Sequence, residues 1–380
     1  MNTKDKVSSK PRFESEHQAF SAELRRRVQT YFKDRSRGDE SGGRATHADF
    51  PALLKAGILL GGFAGIYAVL VFSKLRLYEL VLLTFLGGVV VDLIGLNVLH
   101  ECAHGNYFKS VGLNRASGYL MDLFGISVDI YRVKHVEVHH RYTNIHRWDG
   151  DLDEAYPLVR LTDRMPRLGF HRFQHVYAWF LYSLVTFSWV TSDDLRRLRS
   201  MRVGEFVMPE FSVFQKVRIV GAKIFHLAWA IGIPCLYHPF WDVMAVYVGM
   251  HLVMGFGITV IFQLAHVFDR SKFMSGRSAS SEISYDNLGD WMIHQLQTTS
   301  DFATSNGLAC FLLGGLNYQV EHHLFPGVSY VHLRAIQKIV KSTCQEFGVP
   351  YHEYSGFLSA LTSHILMLRT LGQAESGSGG

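Results

Sequence analysis

The chain has 380 residues, of which 48% are hydrophobic and 13% aromatic, and its mean hydropathy is +0.08. This composition is too apolar for two soluble domains and indicates one membrane-embedded unit. The net charge of +5 is modest, and no stripe of arginine and lysine is interleaved with stacking aromatics, which argues against nucleic-acid binding. The four cysteines are scattered without a CxxC motif, so neither a disulfide framework nor a zinc ribbon is expected.

The first 50 residues are polar and charged, and the cluster of Arg25, Arg26 and Arg27 excludes a cleaved signal peptide. We expect this segment to remain in the cytosol. Residues 20–32 have the apolar spacing of a helix. That spacing fits a helix packed against the membrane or the catalytic part, and it fits a solvated charged helix equally well.

Four apolar stretches are long enough to cross a bilayer, which takes about 20 residues. They cover residues 53–72, 78–99, 217–237 and 240–263. Short polar turns join the first to the second and the third to the fourth, so the chain returns each time to the side on which it began. Basic clusters lie between the two pairs of spans. The sequence therefore predicts an all-α integral membrane protein with four transmembrane helices and a helical cap on the cytosolic face.

Residues 101–216 carry too many charges to span a membrane. Within them, residues 148–153 (WDGDLD) are acidic and turn-rich, but they lack the full twelve-residue pattern of a calcium loop. We expect a structural loop whose carboxylates support neighbouring ligands. Residues 177–190 are apolar but short, which predicts an interfacial or buried helix. His226 and His251 lie inside predicted spans, where we expect packing histidines with satisfied hydrogen bonds.

Three histidine clusters lie outside the predicted spans. They are His100 and His104, then His135, His139 and His140, and finally Gln319, His322 and His323. A helical i, i+4 pair places two rings on one face, and neutral imidazole is a common ligand of first-row metals. Adjacent histidines point about 100° apart around a helix, so one adjacent pair can address two metals. The pattern predicts a dinuclear metal site.

The order HxxxH, HxxxHH, QxxHH resembles the membrane fatty acid desaturases, in particular the branch whose third box begins with glutamine. The flanking residues 139–144 (HHRYTN) and 317–326 (NYQVEHHLFP) are also similar to that branch. The resemblance runs from about residue 54 to residue 351. It divides the chain into a cytosolic segment of residues 1–50, a desaturase domain of residues 51–351, and a tail of residues 352–380 whose end we expect to be flexible.

The resemblance implies a di-iron centre that uses O2 and two external electrons to introduce a cis double bond into an acyl chain. The implied ligands are the seven box histidines and His266, which matches a family position after the fourth span. Gln319 stands where other desaturases have a ligating histidine, and His294 is our candidate to complete the coordination. Gln319 and Asn144 remain possible weak ligands or supporting groups. Asp92, an acid at membrane depth, is expected to support a ligand or to pack between helices.

The resemblance also implies partners. The acyl substrate would be carried by CoA, acyl carrier protein or a lipid, and membrane lipid would surround the spans. The first 50 residues lack the His-Pro-Gly-Gly haem signature, so we expect a separate donor such as ferredoxin or cytochrome b5 with its reductase. A bacterial inner membrane is favoured, and the endoplasmic reticulum is an alternative. A glutamine-type third box resembles front-end desaturases, which act on the carboxyl side of an existing double bond.

Two other functions remain open at this point. A hydroxylase or an acetylenase could use the same di-iron scaffold, because the boxes bind the oxidant without fixing its product. A membrane metal transporter is more distant, since it would be expected to carry histidines along a pathway inside the spans.

Overall fold

The structure is a computed structural model that describes residues 6–7, 10–13, 18–36, 46–273, 277–279, 282–284 and 288–373. The flexible end expected for the tail falls on residues 374–380, outside the described residues. The α-helices, in chain order, are α1 (Gln18–Ser36), α2 (Phe50–Phe72), α3 (Leu77–Ile94), α4 (His100–His104), α5 (Val111–Gly118), α6 (Leu120–Leu123), α7 (Val128–Tyr131), α8 (His140–Tyr142), α9 (Gly150–Asp153), α10 (Gln174–Ser183), α11 (Val185–Ser188), α12 (Asp194–Ser200), α13 (Val213–Leu227), α14 (Phe240–His266), α15 (Trp291–Thr298), α16 (Gly307–Leu312), α17 (Gln319–Leu324), α18 (Leu333–Phe347) and α19 (Phe357–Gln373).

Strands contribute little to the fold. They are β1 (Lys6–Val7), β2 (Arg202–Val203), β3 (Phe206–Val207), β4 (Arg277–Ala279), β5 (Glu282–Ser284), β6 (Asp301–Phe302) and β7 (Glu353–Tyr354). They pair as β1–β5–β4, β2–β3 and β6–β7, with β1–β5 and β6–β7 parallel and the others antiparallel. The parallel pair β6–β7 ties the segment before the third histidine box to the segment after α18.

Four helical segments of the described chain are long and apolar enough to cross a membrane. They are Phe50–Phe72, Leu77–His104, Val213–Leu236 and Phe240–His266. The four predicted spans are confirmed as helices of this kind, and several of their boundaries differ by one to five residues. Two of these differences concern histidines. The second segment continues through the first histidine box, which the sequence placed just after the span. The fourth ends at His266 instead of residue 263, so this histidine is the last residue of α14.

Local signals explain where two of these helices begin. The Asp49 side chain accepts a hydrogen bond from the backbone N–H of Ala52 at the start of α2, and Pro51 occupies the first turn, where no backbone donor is needed. Ser212 and Gln215 form a capping box at the start of α13. These caps set the entry points of the first and third spans.

A π-helical turn precedes the first histidine box, and a second π-helical segment contains His135 and His139 of the second box. The segment Gly95–Leu99 joins α3 to α4, and the segment Arg132–His139 joins α7 to α8. A π turn adds a residue to the helical repeat and rotates the side chains that follow it, and such turns are frequent at functional sites. The spacing of the histidines did not predict these turns, because an ordinary α-helix also brings i and i+4 together.

Close contacts between helices hold α14 in the centre of the fold. A Cβ on Gly88 of α3 would lie 2.8 Å from the Cβ of Val253 in α14, and a Cβ on Gly255 would lie 2.2 Å from the carbonyl oxygen of Ser183 in α10. Only a residue without a side chain allows backbones to approach this closely. α14 is therefore packed between α3 and α10, with its last residue directed into the cap.

The cap, which includes α1, α15, α17 and α18, has an apolar core of its own. Phe20 and Leu24 of α1 are buried against Val320 of α17 and against Ile336 and Val340 of α18. Of the two interpretations of residues 20–32, packing against the protein is therefore confirmed. The short helices α10 and α11, predicted as interfacial or buried, lie alongside α14 and are not among the four candidate spans.

The two intramembrane histidines have ordinary hydrogen bonds. His226 contacts the carbonyl oxygen of Leu123 through Nδ1 at 3.0 Å and the Tyr247 hydroxyl through Nε2 at 3.1 Å. His251 contacts the Thr186 hydroxyl through Nδ1 at 3.1 Å. The expectation of packing histidines at these positions is confirmed, because both rings are used to join neighbouring helices.

Candidate metal centre

The first histidine box lies on α4, at the inner end of the second span. The rings of His100 and His104 lie side by side, with their centroids 4.6 Å apart. Between them, Glu101 points away and accepts hydrogen bonds from the Ser329 hydroxyl at 2.9 Å and the Tyr330 backbone N–H at 3.0 Å. The first box is thus tied to the turn that precedes α18.

The second box lies on the π-helical segment and the first residue of α8. Tyr131 stacks on the His135 ring at a centroid distance of 5.0 Å. The Nδ1 atom of His139 lies 3.1 Å from the Asp149 carboxylate, which also accepts a hydrogen bond from the Asn144 backbone N–H. The acidic loop predicted to support neighbouring ligands therefore does contact a box histidine.

The third box forms α17, which is buried along its whole length. Its start is held by Asp301, whose carboxylate accepts a hydrogen bond from the Val320 backbone N–H at 3.0 Å. The Nδ1 atom of His323 lies 2.9 Å from the Gln295 side-chain oxygen and 3.2 Å from the Thr143 hydroxyl. These contacts fix the ring and direct its Nε2 atom away from α15.

Eight histidines of the described chain fall into two groups in which the ligand nitrogens all lie within 4.8 Å of one another. The first group is His100, His104, His135, His140 and His322, and the second is His139, His266 and His323. The two members of each adjacent pair lie in different groups, as the helical angle between neighbouring residues predicts. The chain therefore brings together two facing sets of imidazoles that could each hold a metal ion.

The contacts between the ring nitrogens fit the binding of a cation. His100 Nε2 lies 2.9 Å from His135 Nε2, which lies 3.3 Å from His140 Nε2. Neutral rings cannot all donate to one another in such a cluster. The Nε2 atoms of His104, His139, His322 and His323 are buried without any hydrogen-bond partner. Buried unpaired nitrogens are unfavourable, and a metal ion would satisfy them together. The residues present fit metal ions in both groups.

The second group shows how the rings are oriented. In all three members Nδ1 contacts an oxygen atom: Asp149 for His139, Thr298 for His266, and Gln295 for His323. Such contacts select the tautomer with a proton on Nδ1, which leaves the Nε2 lone pair for a metal. The ring orientations are therefore set before any metal arrives.

Electrostatics keep most of these rings neutral. Burial lowers the pKa of His135, His140 and His323 well below the ordinary value, and neighbouring histidines lower it further. Burial acts on His139 in the same direction, but the charge and hydrogen bond of Asp149, together with the charge of Asp151, outweigh it and raise the pKa of this ring. Neutral imidazole is the metal-binding form, and a carboxylate partner strengthens it as a ligand.

His294 lies outside both groups, and its role in the coordination stays a prediction. Its Nε2 atom lies 2.8 Å from the Thr143 carbonyl oxygen, its Nδ1 atom is buried without a hydrogen-bond partner, and its ring packs on Phe13. The amide nitrogen of Gln319 lies 3.0 Å from His266 Nε2, beside the second group. The sequence correctly predicts that His294 lies near the histidine boxes. In the structure its ring hydrogen-bonds to the backbone just after the second box.

Asn144 and Asp92 take different supporting roles. The Asn144 side chain donates a hydrogen bond to the His266 carbonyl oxygen at 2.9 Å, so it links the second box to the end of α14. Asp92 is buried but outside both histidine groups. Its carboxylate packs directly against Gly257, where an added Cβ would lie 2.1 Å from Oδ2. Asp92 of α3 therefore packs against α14 and does not contact a histidine group.

Comparison with known proteins decides the family. The family model "Fatty acid desaturase" matches residues 27–355, which is most of the chain. The chain belongs to the fatty acid desaturase family. It is an oxidoreductase that desaturates fatty acyl chains, in agreement with the resemblance of its three histidine boxes.

Several curated desaturases are similar to this one. An acyl-lipid (8-3)-desaturase from Physcomitrium patens is 31% identical over 371 residues, covering 95% of this chain and 73% of the relative. An sn-1 linoleoyl-lipid 6-desaturase from Synechocystis sp. is 30% identical over 365 residues, covering 95% and 98%. A Delta(5) fatty acid desaturase from Dictyostelium discoideum is 31% identical over 283 residues, covering 74% and 61%.

A cavity of this desaturase reaches the second histidine group. It has a volume of 350 Å³ and is lined at its inner end by His135, His139 and His266. Apolar residues such as Leu184, between α10 and α11, and Ile258 of α14 line most of it, and charged residues that include Lys134, Asp151 and Glu154 line the rest. Such a volume lies within the range of small-molecule and acyl-chain sites, about 300–1,000 Å³.

Reasoning from the sequence missed the groups that orient the rings of this desaturase. Gln295 and Thr298 are polar residues on α15 that are completely buried. Thr143 contributes both its hydroxyl, near His323, and its carbonyl, near His294. The sequence carries no signal for these roles, because polar residues around Leu296 are ordinarily predicted to be exposed, and Thr298 contacts His266 through its backbone carbonyl.

Replacing Asp149 with Asn should weaken metal binding without removing any ligand. The amide has the same shape but no charge, so it no longer favours a proton on His139 Nδ1 or strengthens the ring as a ligand. We expect metal affinity or turnover to fall about 10- to 100-fold. Metal content and turnover of purified Asp149→Asn would be compared with Asp163→Asn, a matched change on the partly exposed loop beside Arg164. Equal values in the two variants would contradict this role of Asp149.

Proposed function

We propose that this desaturase uses two iron ions to introduce a cis double bond into an acyl chain esterified to a membrane lipid. The observation that carries the proposal is the meeting of two imidazole groups at the inner end of an apolar cavity. The fatty acid desaturase family generally has a di-iron centre, and imidazole with amide or carboxylate support suits iron. When bound, such a centre supplies an O2-derived oxidant strong enough to break an unactivated C–H bond.

The proposed ligands are divided between the two groups. One iron would be held by His100, His104, His135, His140 and His322, and the other by His139, His266 and His323 with Gln319 as a weak ligand beside His266. A carboxamide is a weaker ligand than imidazole, so the second iron would keep the looser coordination. His294 is left out of this set because it does not belong to either group of closely spaced nitrogens.

The residues of the chain perform the binding and positioning. The apolar walls of the cavity hold an extended acyl chain against His135 and His139 and exclude water from the reacting carbons. Asp149, Gln295 and Thr298 hold the ring nitrogens in position, so the geometry needed for reaction is present beforehand. The product is a double bond wherever the walls bring two adjacent methylenes next to the irons.

A lipid-linked substrate is favoured by the surface beside the cavity. On α10, Val176 and Phe180 are 65% and 64% exposed, whereas Leu181 of the same helix lines the cavity. An exposed apolar helix face next to a cavity indicates contact with lipid. An acyl chain could therefore enter from the bilayer while its headgroup remains at the interface.

The position of the double bond is proposed from the relatives. Two of them are named as a linoleoyl-lipid 6-desaturase and an acyl-lipid (8-3)-desaturase. Linoleoyl chains are already unsaturated, and carbon 6 lies on the carboxyl side of their double bonds. Together with the glutamine of the third box, these names support insertion between an existing double bond and the carboxyl end.

We infer further that the cap faces the cytosol, in a bacterial inner membrane or the endoplasmic reticulum. α1, with Arg25 and Arg26, belongs to the cap, and basic side chains are retained on the cytosolic side. Ser342 on α18 is exposed and offers a test. In intact spheroplasts, Ser342→Cys should resist a membrane-impermeant maleimide and react after lysis, whereas reaction before lysis would place the cap outside.

Electrons would come from a separate carrier such as ferredoxin or cytochrome b5 with its reductase. The desaturation of one bond by O2 consumes two electrons and two protons besides the two hydrogens removed from the chain. The described residues contain no haem-binding His-Pro-Gly-Gly sequence, and the family match accounts for residues 27–355. In this proposal the carrier delivers both electrons to the metal centre.

The ligand assignment can be tested by iron content. His323→Ala should lose iron and turnover while remaining an assembled membrane protein, because its ring lies in the cap and not between the spans. Gln319→Ala should lose less iron, and Gln319→His should retain it. His294→Ala should keep both irons, since it removes a hydrogen bond and no ligand. Iron would be quantified in monodisperse detergent-purified protein. Iron loss in His294→Ala as severe as in His323→Ala would return His294 to the ligand set.

The substrate proposal can be tested by product analysis. Cells expressing the chain with a reductase system and labelled fatty acids should contain a new cis double bond in their membrane lipids. Ile258→Trp fills the cavity and should lower the yield about 100-fold, because the reacting carbons are displaced. Phe256→Trp, two residues away on the exposed side of α14, is the matched control. Hydroxylated or acetylenic acyl chains as the main product, or an unaffected Ile258→Trp, would contradict the proposal.

A further inference from the structure

We propose that the outward faces of α1 and α18 form the docking surface for a small acidic one-electron carrier protein. The inference rests on the proposed function, because it concerns how electrons reach that same metal centre. It assigns the carrier to one of several basic regions on the protein.

The two helices lie side by side and antiparallel on the cap. Phe20 at the start of α1 contacts Phe347 at the end of α18, with ring centroids 5.7 Å apart. At the other end, Phe32 contacts His332, just before α18, at 5.4 Å. Arg27, near the middle of α1, bonds to Glu346 near the end of α18. The pair therefore forms one continuous surface.

The inner face of this surface leads directly to the third histidine box. Ile336 and Val340 of α18 pack in the same core as Val320 and Leu324 of α17. α17 carries His322 and His323, which belong to different histidine groups. One helical layer thus separates the surface of α18 from both groups. Electron transfer rates fall steeply with distance, so a carrier placed here has a short path to either iron.

The outer face is basic. α1 contains five basic and two acidic residues, and α18 contains three basic and one acidic. Arg25, Arg334 and Lys338 are exposed. Two of the acids, Glu23 and Glu346, are bonded to arginines of α1 and so contribute little negative potential of their own. A surface of this sign attracts an acidic protein and accelerates its association.

The same surface is unsuited to lipid. The apolar side chains of α1 and α18 are mostly used in the cap core, and the exposed positions of both helices are largely polar or charged. The lipid-facing helices differ, since α13 exposes Val213, Phe214 and Val217 by 78%, 74% and 66%. A water-soluble partner therefore fits α1 and α18 better than a membrane surface does.

The test reverses one charge on each helix, in Arg25→Glu/Lys338→Glu. Turnover of detergent-purified protein would be followed against the concentration of plant-type ferredoxin, with NADPH and ferredoxin reductase, and in parallel against a soluble cytochrome b5 domain. We expect the KM for at least one carrier to rise about tenfold at low salt with kcat unchanged, and the salt dependence to weaken. Arg115→Glu/Arg199→Glu changes the same charge elsewhere on the exposed surface and should shift the KM less than about twofold.

Reduced methyl viologen, a small cation, serves as the reference donor. Because it reacts rapidly with O2, it reduces the protein under anaerobic conditions, and O2 is then admitted for a single turnover. Both double variants should turn over with it as the unsubstituted chain does, which shows that the metal centre is intact. The inference is wrong if the two double variants shift the carrier KM equally, or if neither carrier supports turnover that viologen supports. It is also wrong if the effect appears only in vesicles with anionic lipid, which would assign the surface to the membrane. Failure of viologen to yield unsaturated product in the unsubstituted chain would instead refute the proposed function.

Discussion

The burial of eight imidazole rings around two points is the constraint on which this structure depends. Each buried nitrogen without a partner is unfavourable by about 1–3 kcal/mol, and several such atoms are collected here. The protein tolerates them because other forces hold the rings in place. Asp149, Gln295 and Thr298 fix the Nδ1 atoms of the second group, and the cap core fixes α17 from behind. Without these hydrogen bonds and this core packing, the rings would move apart and their nitrogens would hydrogen-bond to water.

The parts of the fold that follow from local pattern could be predicted from the sequence. The four spans depend on length and hydropathy, and the box histidines depend on helical spacing, so both are visible in one chain. The role of His294 was not visible, because it depends on Thr143, 151 residues away. The same is true of Gln295, 28 residues from His323, and of the contact between Asn144 and His266. Such pairs are set by the packing of separate segments.

The two sides of the cap meet different surroundings, which gives substrate and electrons different approaches to one site. The cavity beside α10 lies next to exposed apolar side chains and suits an acyl chain arriving from the bilayer. The layer of α1 and α18 is polar on its outer face. Separate approaches allow the carrier to bind and leave while the acyl chain stays in the cavity. They also keep a charged partner away from the apolar walls.

The division of each adjacent histidine pair between the two groups would link two bound metal ions thermodynamically. His139 and His140 are consecutive residues, as are His322 and His323, so the backbone that positions a ligand of one group also positions a ligand of the other. The hydrogen bonds of the rings already restrict this backbone, and an ion bound in one group would restrict it further. By linkage, either ion would then raise the affinity for the other by the same factor. Such a site would favour the empty and the doubly loaded states over the half-loaded one.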